Sequence, residues 1–129
     1  MRYFLCLCFY LIPISVFAVS DPFLPEEVCK EAGAPNLECT ENNLNALYAD
    51  LDDDGTKELI VHYGGGSCGA QYYIFRINNK IKWEVIGNWC GCDHGKPKVK
   101  NTKHNGYKDI YTCGESGMFN GKRYVGVRQ

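Results

Sequence analysis

Two short stretches of this chain are built alike, and their likeness limits the fold more than any other feature. Asp54-Gly-Thr-Lys-Glu-Leu-Ile-Val61 and Asn105-Gly-Tyr-Lys-Asp-Ile-Tyr-Thr112 agree residue for residue in type. Each begins with a turn former and glycine, a pair that accepts the positive φ of a tight hairpin. Each then places an acid just before a run of strand-forming residues. Both copies continue into a small-residue loop, Gly64 to Gly69 and Gly114 to Gly117, and then into a turn with an aromatic strand. Gly55 and Gly106 stand 51 residues apart, a spacing typical of β-repeat proteins. A propeller needs at least about four blades, so two units cannot close one. The pattern therefore predicts a mainly β domain of two related antiparallel hairpin repeats, 44–87 and 98–127. Such a pair would be open and half-propeller-like, or sandwich-like.

Within the first repeat, Leu44 to Leu51 reads as a strand that the acidic loop joins to Leu59–Tyr63. Gln71 to Ile77 and Lys80 to Ile86 flank Asn78-Asn79 and form the clearest hairpin in the sequence. Its period-two alternation places Ile81, Trp83 and Val85 inside, with Lys80, Lys82 and Glu84 outside. Ahead of the repeats, segment 19–43 holds one short helix. Pro25 is expected at its first position, acids in its first turn, and Gly33-Ala-Pro35 at its end.

Residues 1–18 have the layout of a secretory signal. Arg2 precedes a mostly apolar Phe4–Phe17 stretch, and Val16-Phe-Ala18 offers small residues for cleavage after Ala18, with Ser20 as a second site. Pro13 and the small-residue end argue against a retained anchor, which needs about 20 apolar residues. Residues 19–129 then make a single domain, periplasmic or secreted, with no membrane span after processing.

Export gives the cysteines their meaning. Cys29, Cys39, Cys68, Cys90, Cys92 and Cys113 remain after cleavage, and an even number in an oxidising compartment favours a disulfide framework. Cys29 and Cys39 bracket one loop. Neighbouring sulfurs in C-x-C seldom join each other, so Cys90 and Cys92 are expected to reach Cys68 and Cys113, in either order. The competing reading groups these four cysteines with His94 as a zinc or copper site, but C-x-C is not the usual ligand spacing.

Asp50, Asp52 and Asp54 alternate ahead of Gly55, with Glu58 at position 9 of the run. Hard oxygen donors at positions 1, 3 and 5 with Gly at 6 begin a calcium loop. Position 12 is Val61, so the EF-hand ending is missing and a strand follows instead. The pattern D-x-D-x-D-G-x-x-E closing into a strand resembles the aspartate-rich loops of FG-GAP and VCBS-type repeats in integrin-like propellers. That resemblance implies calcium held by Asp50, Asp52, Asp54 and Glu58 with the Thr56 carbonyl. The whole arrangement, roughly Leu44 to Tyr124, is similar to a broad group of small bacterial periplasmic proteins. Without metal, the same carboxylates would bond turn amides. The second copy has Asn101, Lys103, Asn105 and Asp109 at the matching positions, so its hairpin must form without an ion. Glu58 and Asp109 are thus expected to bond turn amides.

Charge is balanced overall but unevenly placed. Residues 19–58 carry 11 acids and 2 bases, whereas residues 59–129 carry 4 acids and 11 bases. The two ends either lie against each other or steer a partner. Lys96, Lys98 and Lys100 alternate along one extended segment, either guarding a sheet edge or forming a cationic stripe. Gly65-Gly-Ser-Cys-Gly69 matches the nucleophile elbow on paper, but a strand follows it where a helix is required. No phosphate loop, catalytic triad or basic-aromatic nucleic-acid motif is present. The sequence thus favours a non-catalytic binding protein of the envelope. Its partner would be an envelope protein or a wall component, met through Gly65, Ser67, Glu115, Ser116 and the lysines. An inhibitor or immunity protein against a cell-wall hydrolase is a specific form of that reading. A small metal-dependent enzyme using the Cys/His cluster is the alternative.

Overall fold

The computed structural model describes residues 20–64, 68–79, 81–92 and 96–128. The signal segment 1–18 lies outside them, as do Gly65, Ser67, Lys80 and His94. Helix α1 (Glu26–Ala32) follows Pro25, which stands at the N-cap, one position earlier than expected. Gly33, at φ 68°, ends the helix in the left-handed conformation that glycine adopts without steric cost. Eight strands follow: β1 (Leu47–Ala49), β2 (Glu58–Gly64), β3 (Ala70–Asn78), β4 (Lys82–Gly91), β5 (Lys98–His104), β6 (Tyr107–Tyr111), β7 (Glu115–Phe119) and β8 (Tyr124–Arg128).

These strands form one sheet in the order β1-β2-β3-β4-β8-β7-β6-β5. Each half is an antiparallel meander, and the halves join through a parallel contact between Gly87 and Tyr124. The mainly β class with a short helix stands. The arrangement differs from the expected open or sandwich-like pair, because a single sheet curls until it is nearly closed. The reason is visible at the seams. Glycine at position 87 lets β8 approach closely, since a Cβ there would come within 2.4 Å of the Tyr124 side chain. At the other seam, the Lys108 amide donates to the Leu51 carbonyl at 2.8 Å, linking the end of β1 to β6.

Curling creates two apolar clusters. Inside, Leu51, Ile60, Tyr72, Ile74 and Ile86 of the first half meet Ile110, Phe119 and Tyr124 of the second. Trp89 lies across the middle, where its indole rests on Gly117 and donates to the Thr112 hydroxyl at 3.1 Å. Outside, α1 and its flanks cover the first half, packing Leu24, Val28, Ala32 and Leu44 on Leu59, Val61 and Phe75. Strands β2 and β3 are therefore buried on both faces, which explains their nearly continuous apolar sequence. Burial of this kind contributes about 1.5–3 kcal/mol per large side chain.

Two local expectations fail. Leu44–Ala46 is not strand. Asn45 turns the chain at φ 47°, and Leu44 instead plugs the outer cluster. Ile81 is 84% exposed, because it belongs to the turn, with its amide bonded to the Asn78 carbonyl at 2.9 Å. Trp83 and Val85 do face the outer cluster. A bulge then intervenes: Phe75 pairs with Val85 but Ile74 pairs with Gly87, leaving Ile86 as the extra residue. The inward set of β4 thereby becomes Ile86 and Trp89.

Candidate functional site

The acidic loop spans Asp50 to Lys57 and joins β1 to β2. Its shape comes from its own side chains. Asp50 accepts the Asp54 amide at 3.2 Å and the Gly55 amide at 2.8 Å, while Asp52 accepts the Asp54 amide at 3.3 Å. Asp54 accepts the Thr56 amide at 2.7 Å. Gly55 sits at φ 88° and Asp53 at φ 59°, the left-handed positions that Gly and Asp tolerate. Glu58 is buried, and its Oε2 accepts the Leu51 amide at 2.7 Å across the mouth of the hairpin. That is the turn-bonding role expected of it. Asp109 differs: it accepts the Thr102 hydroxyl and faces His104 Nδ1, each at 2.7 Å.

Asp50, Asp52 and Glu58 each place a carboxylate oxygen within 4.8 Å of the others. Burial, with Asp52 and Asp54 nearby, pushes the Glu58 carboxyl up to about 7. Burial also raises Asp52, aided by its contact with Asp54 and by Asp50. Three converging hard oxygens suit a calcium-like cation. Asp54 stands beside this set with its carboxylate accepting the Thr56 amide. Of the four carboxylates that the sequence implied, three are brought together.

Across a cleft of about 320 Å³, Arg76, Asn78, Asn79 and Glu84 face Asp52, Asp54 and Glu58, and Tyr107 joins from the second half. Arg76 bonds Glu84 at 2.7 Å. Arg76 stands beside Glu58 through the β2–β3 register, which pairs Leu59 with Phe75, whereas Tyr107 reaches the cleft through the curl of the sheet.

The loop's remaining acid has a different task. Asp53 is ion-paired with Lys103, and Lys108 approaches it at 2.8 Å. These two lysines, Lys103 first, hold the Asp53 carboxyl down at about 2. Repulsion in the loop is thus partly relieved by cations from the second half, not by Lys57 alone. The acidic and basic ends of the chain do lie against each other here.

At the opposite end, disulfides join Cys29 to Cys39, Cys68 to Cys90 and Cys92 to Cys113. The two cysteines of C-x-C reach different partners, as expected. Since all four sulfurs are consumed, the zinc or copper reading falls. Gly91 between them is required, because a Cβ there would come within 2.7 Å of the Tyr72 ring. Of the residues expected to bind a partner, Glu115 and Ser116 belong to β7, not to an exposed loop. Ser116 is fully buried, and Glu115 lies 3.9 Å from Arg128. Lys96 and Lys98 are exposed on or beside β5, an edge strand, and Lys100 places its ammonium 5.2 Å from the Tyr111 ring centre.

Comparison with known protein families, with curated proteins and with solved structures gives no match. No described helix is long and apolar enough to cross a membrane. Three disulfides in a chain of this size fit an oxidising environment.

Proposed function

We propose that this chain is an exported, periplasmic or secreted binding protein of the cell envelope that works without catalysis. The observation that carries this reading is the unequal covering of the sheet. The N-terminal segment packs over β2, β3 and β4, whereas no described element is layered on the outer face of β5–β8. A domain stapled by three disulfides holds such a face rigid, which lowers the ordering cost of association. Affinity capture from an envelope extract, with mass spectrometry of what co-elutes, tests it. A discrete co-eluting component supports the reading, and none above a control matrix overturns it. An inhibitor of a wall hydrolase is the narrower form, tested by adding the domain to such an enzyme.

The acidic loop adds calcium to the proposal. Asp50, Asp52 and Glu58 converge at the seam between the halves, so an ion there would brace the junction rather than take part in chemistry. Affinity would be in the weak extracellular range, roughly 10⁻⁴–10⁻³ M.

A further inference from the structure

On the second half of the sheet, the inner row is Val99, Ile110, Gly117 and Gly126, paired in sequence across β5, β6, β7 and β8. Val99 and Ile110 join the inner cluster, and the two glycines lie under the Trp89 side chain. Pleating then turns their neighbours outward. Tyr111, Met118, Val125 and Val127 share the outer face with Ser116, which is fully buried between Tyr111 and Val127, and Lys98 and Lys100 lie along its edge. Tyr111 and Val127 are 39% and 38% exposed, and Met118 and Val125 are half-buried. Helix α1 packs against the first half of the sheet, chiefly β3 and β4, so this apolar strip stays outside its cover.

Charge decides what fits the strip. Residues 96–128 carry eight bases and two acids. Both acids are engaged internally, Asp109 with Thr102 and His104, and Glu115 beside Arg128. Lys103 and Lys108 are engaged with Asp53. Lys96, Lys98, Lys100, Lys122 and Arg123 have no described acidic partner.

Building on the binding reading above, we propose that the outer face of β5–β8 docks an acidic protein surface that presents an apolar or aromatic residue among its carboxylates. The lysines would steer the approach and the Tyr111–Val127 strip would fix it. A polysaccharide would leave the apolar strip without a counterpart.

The test uses the exported, disulfide-bonded protein, labelled with ¹⁵N and titrated with a random glutamate–tyrosine copolymer. Dextran sulfate and phosphatidylglycerol vesicles serve as separate arms. The copolymer is expected to shift amides of β5–β8, and Lys98→Glu with Lys100→Glu to weaken it by about tenfold or more, a loss of about 1.4 kcal/mol. Tyr111→Ser is expected to weaken binding while leaving its salt dependence intact. Shifts confined to α1 and β1–β3, no binding of the copolymer, or equally tight binding of dextran sulfate or vesicles would each overturn the assignment. Envelope capture that persists in the Lys98→Glu, Lys100→Glu protein would locate the failure in this face and leave the wider binding reading standing.

Discussion

The Lys108 ammonium lies 2.8 Å from the Asp53 carboxylate, which Lys103 also grips. This contact ties the acidic loop of one half of the sheet to the first hairpin of the other. Together with the Lys108 amide on the Leu51 carbonyl, it holds the sheet nearly closed where the edge strands would otherwise part. Asp53→Asn should therefore lower the melting temperature slightly, because the pair is exposed and screened. The depressed Asp53 carboxyl contributes at pH values above its ordinary range, and that contribution is lost as pH falls through about 2. Thermal melts of the variant and the parent should converge in about 1 M salt. A loss unchanged by salt would mean that Asp53 acts through the loop backbone instead.

Glu58 gives a pH signature of the opposite sign. Its carboxyl is raised to about 7 by burial and by Asp52 and Asp54. The folded protein therefore holds a proton that the unfolded chain has released, and stability falls as pH rises from the ordinary glutamate range through about 7. Without calcium, Glu58→Gln should flatten this decline and be more stable than the parent at pH 8, since an amide oxygen can still accept the Leu51 amide. Urea titrations at pH 5 and pH 8 in EDTA check it. A Gln variant less stable at both pH values would show that the charge itself is needed.

Calcium should reverse part of that decline, because it binds the deprotonated carboxylates. Calcium at ten times its dissociation constant adds about 1.4 kcal/mol, seen as a rise in melting temperature that is larger at pH 8 than at pH 5. Asp52→Asn should shrink the rise, whereas Asp109→Asn, in the other hairpin, should leave it intact. Melting curves unmoved by calcium or EDTA would return the loop to amide bonding alone.

Gly117 supports Trp89 so closely that an added Cβ would lie 2.3 Å from the indole. Gly117→Ala should cost about 1–3 kcal/mol through overpacking, read as a lower urea midpoint. Unchanged stability would mean that the indole has room to move.

The staples are open to direct counting. Intact mass before and after alkylation should show Cys29, Cys39, Cys68, Cys90, Cys92 and Cys113 all oxidised in protein taken from its native compartment. Replacing Cys92 and Cys113 together by Ser should cost about 2–5 kcal/mol. Six alkylated thiols in the native protein would remove the framework.

What the sequence revealed was local. Asn105-Gly106 takes the positive φ values of a tight turn, 50° and 84°. Glu58 bonds across its hairpin, and the C-x-C sulfurs part toward different strands, each following from chemistry within a few residues. The features it hid are those that require distant segments to meet. Ile81 matched the alternation, but the turn claimed it. The Ile86 bulge reset the inward face of β4, since period-two patterns carry no mark of an inserted residue. Arg76 joined the cleft through the register of β2 with β3, which pairs Leu59 with Phe75, and Tyr107 joined it because the sheet curls. The reach of Lys103 and Lys108 to Asp53 was foreshadowed by nothing more than the charge imbalance between the two ends. Ser116, expected on a loop, was drawn into β7 because the small residues after Cys113 continue the meander.

The most direct measurement is affinity capture from an envelope extract on immobilised parent protein and on Lys98→Glu, Lys100→Glu protein, at low and high salt. A discrete protein retained by the parent, released by salt and absent from the variant is the predicted result. Identical retention on both proteins, or none on either, would contradict a binding role for the outer face of β5–β8.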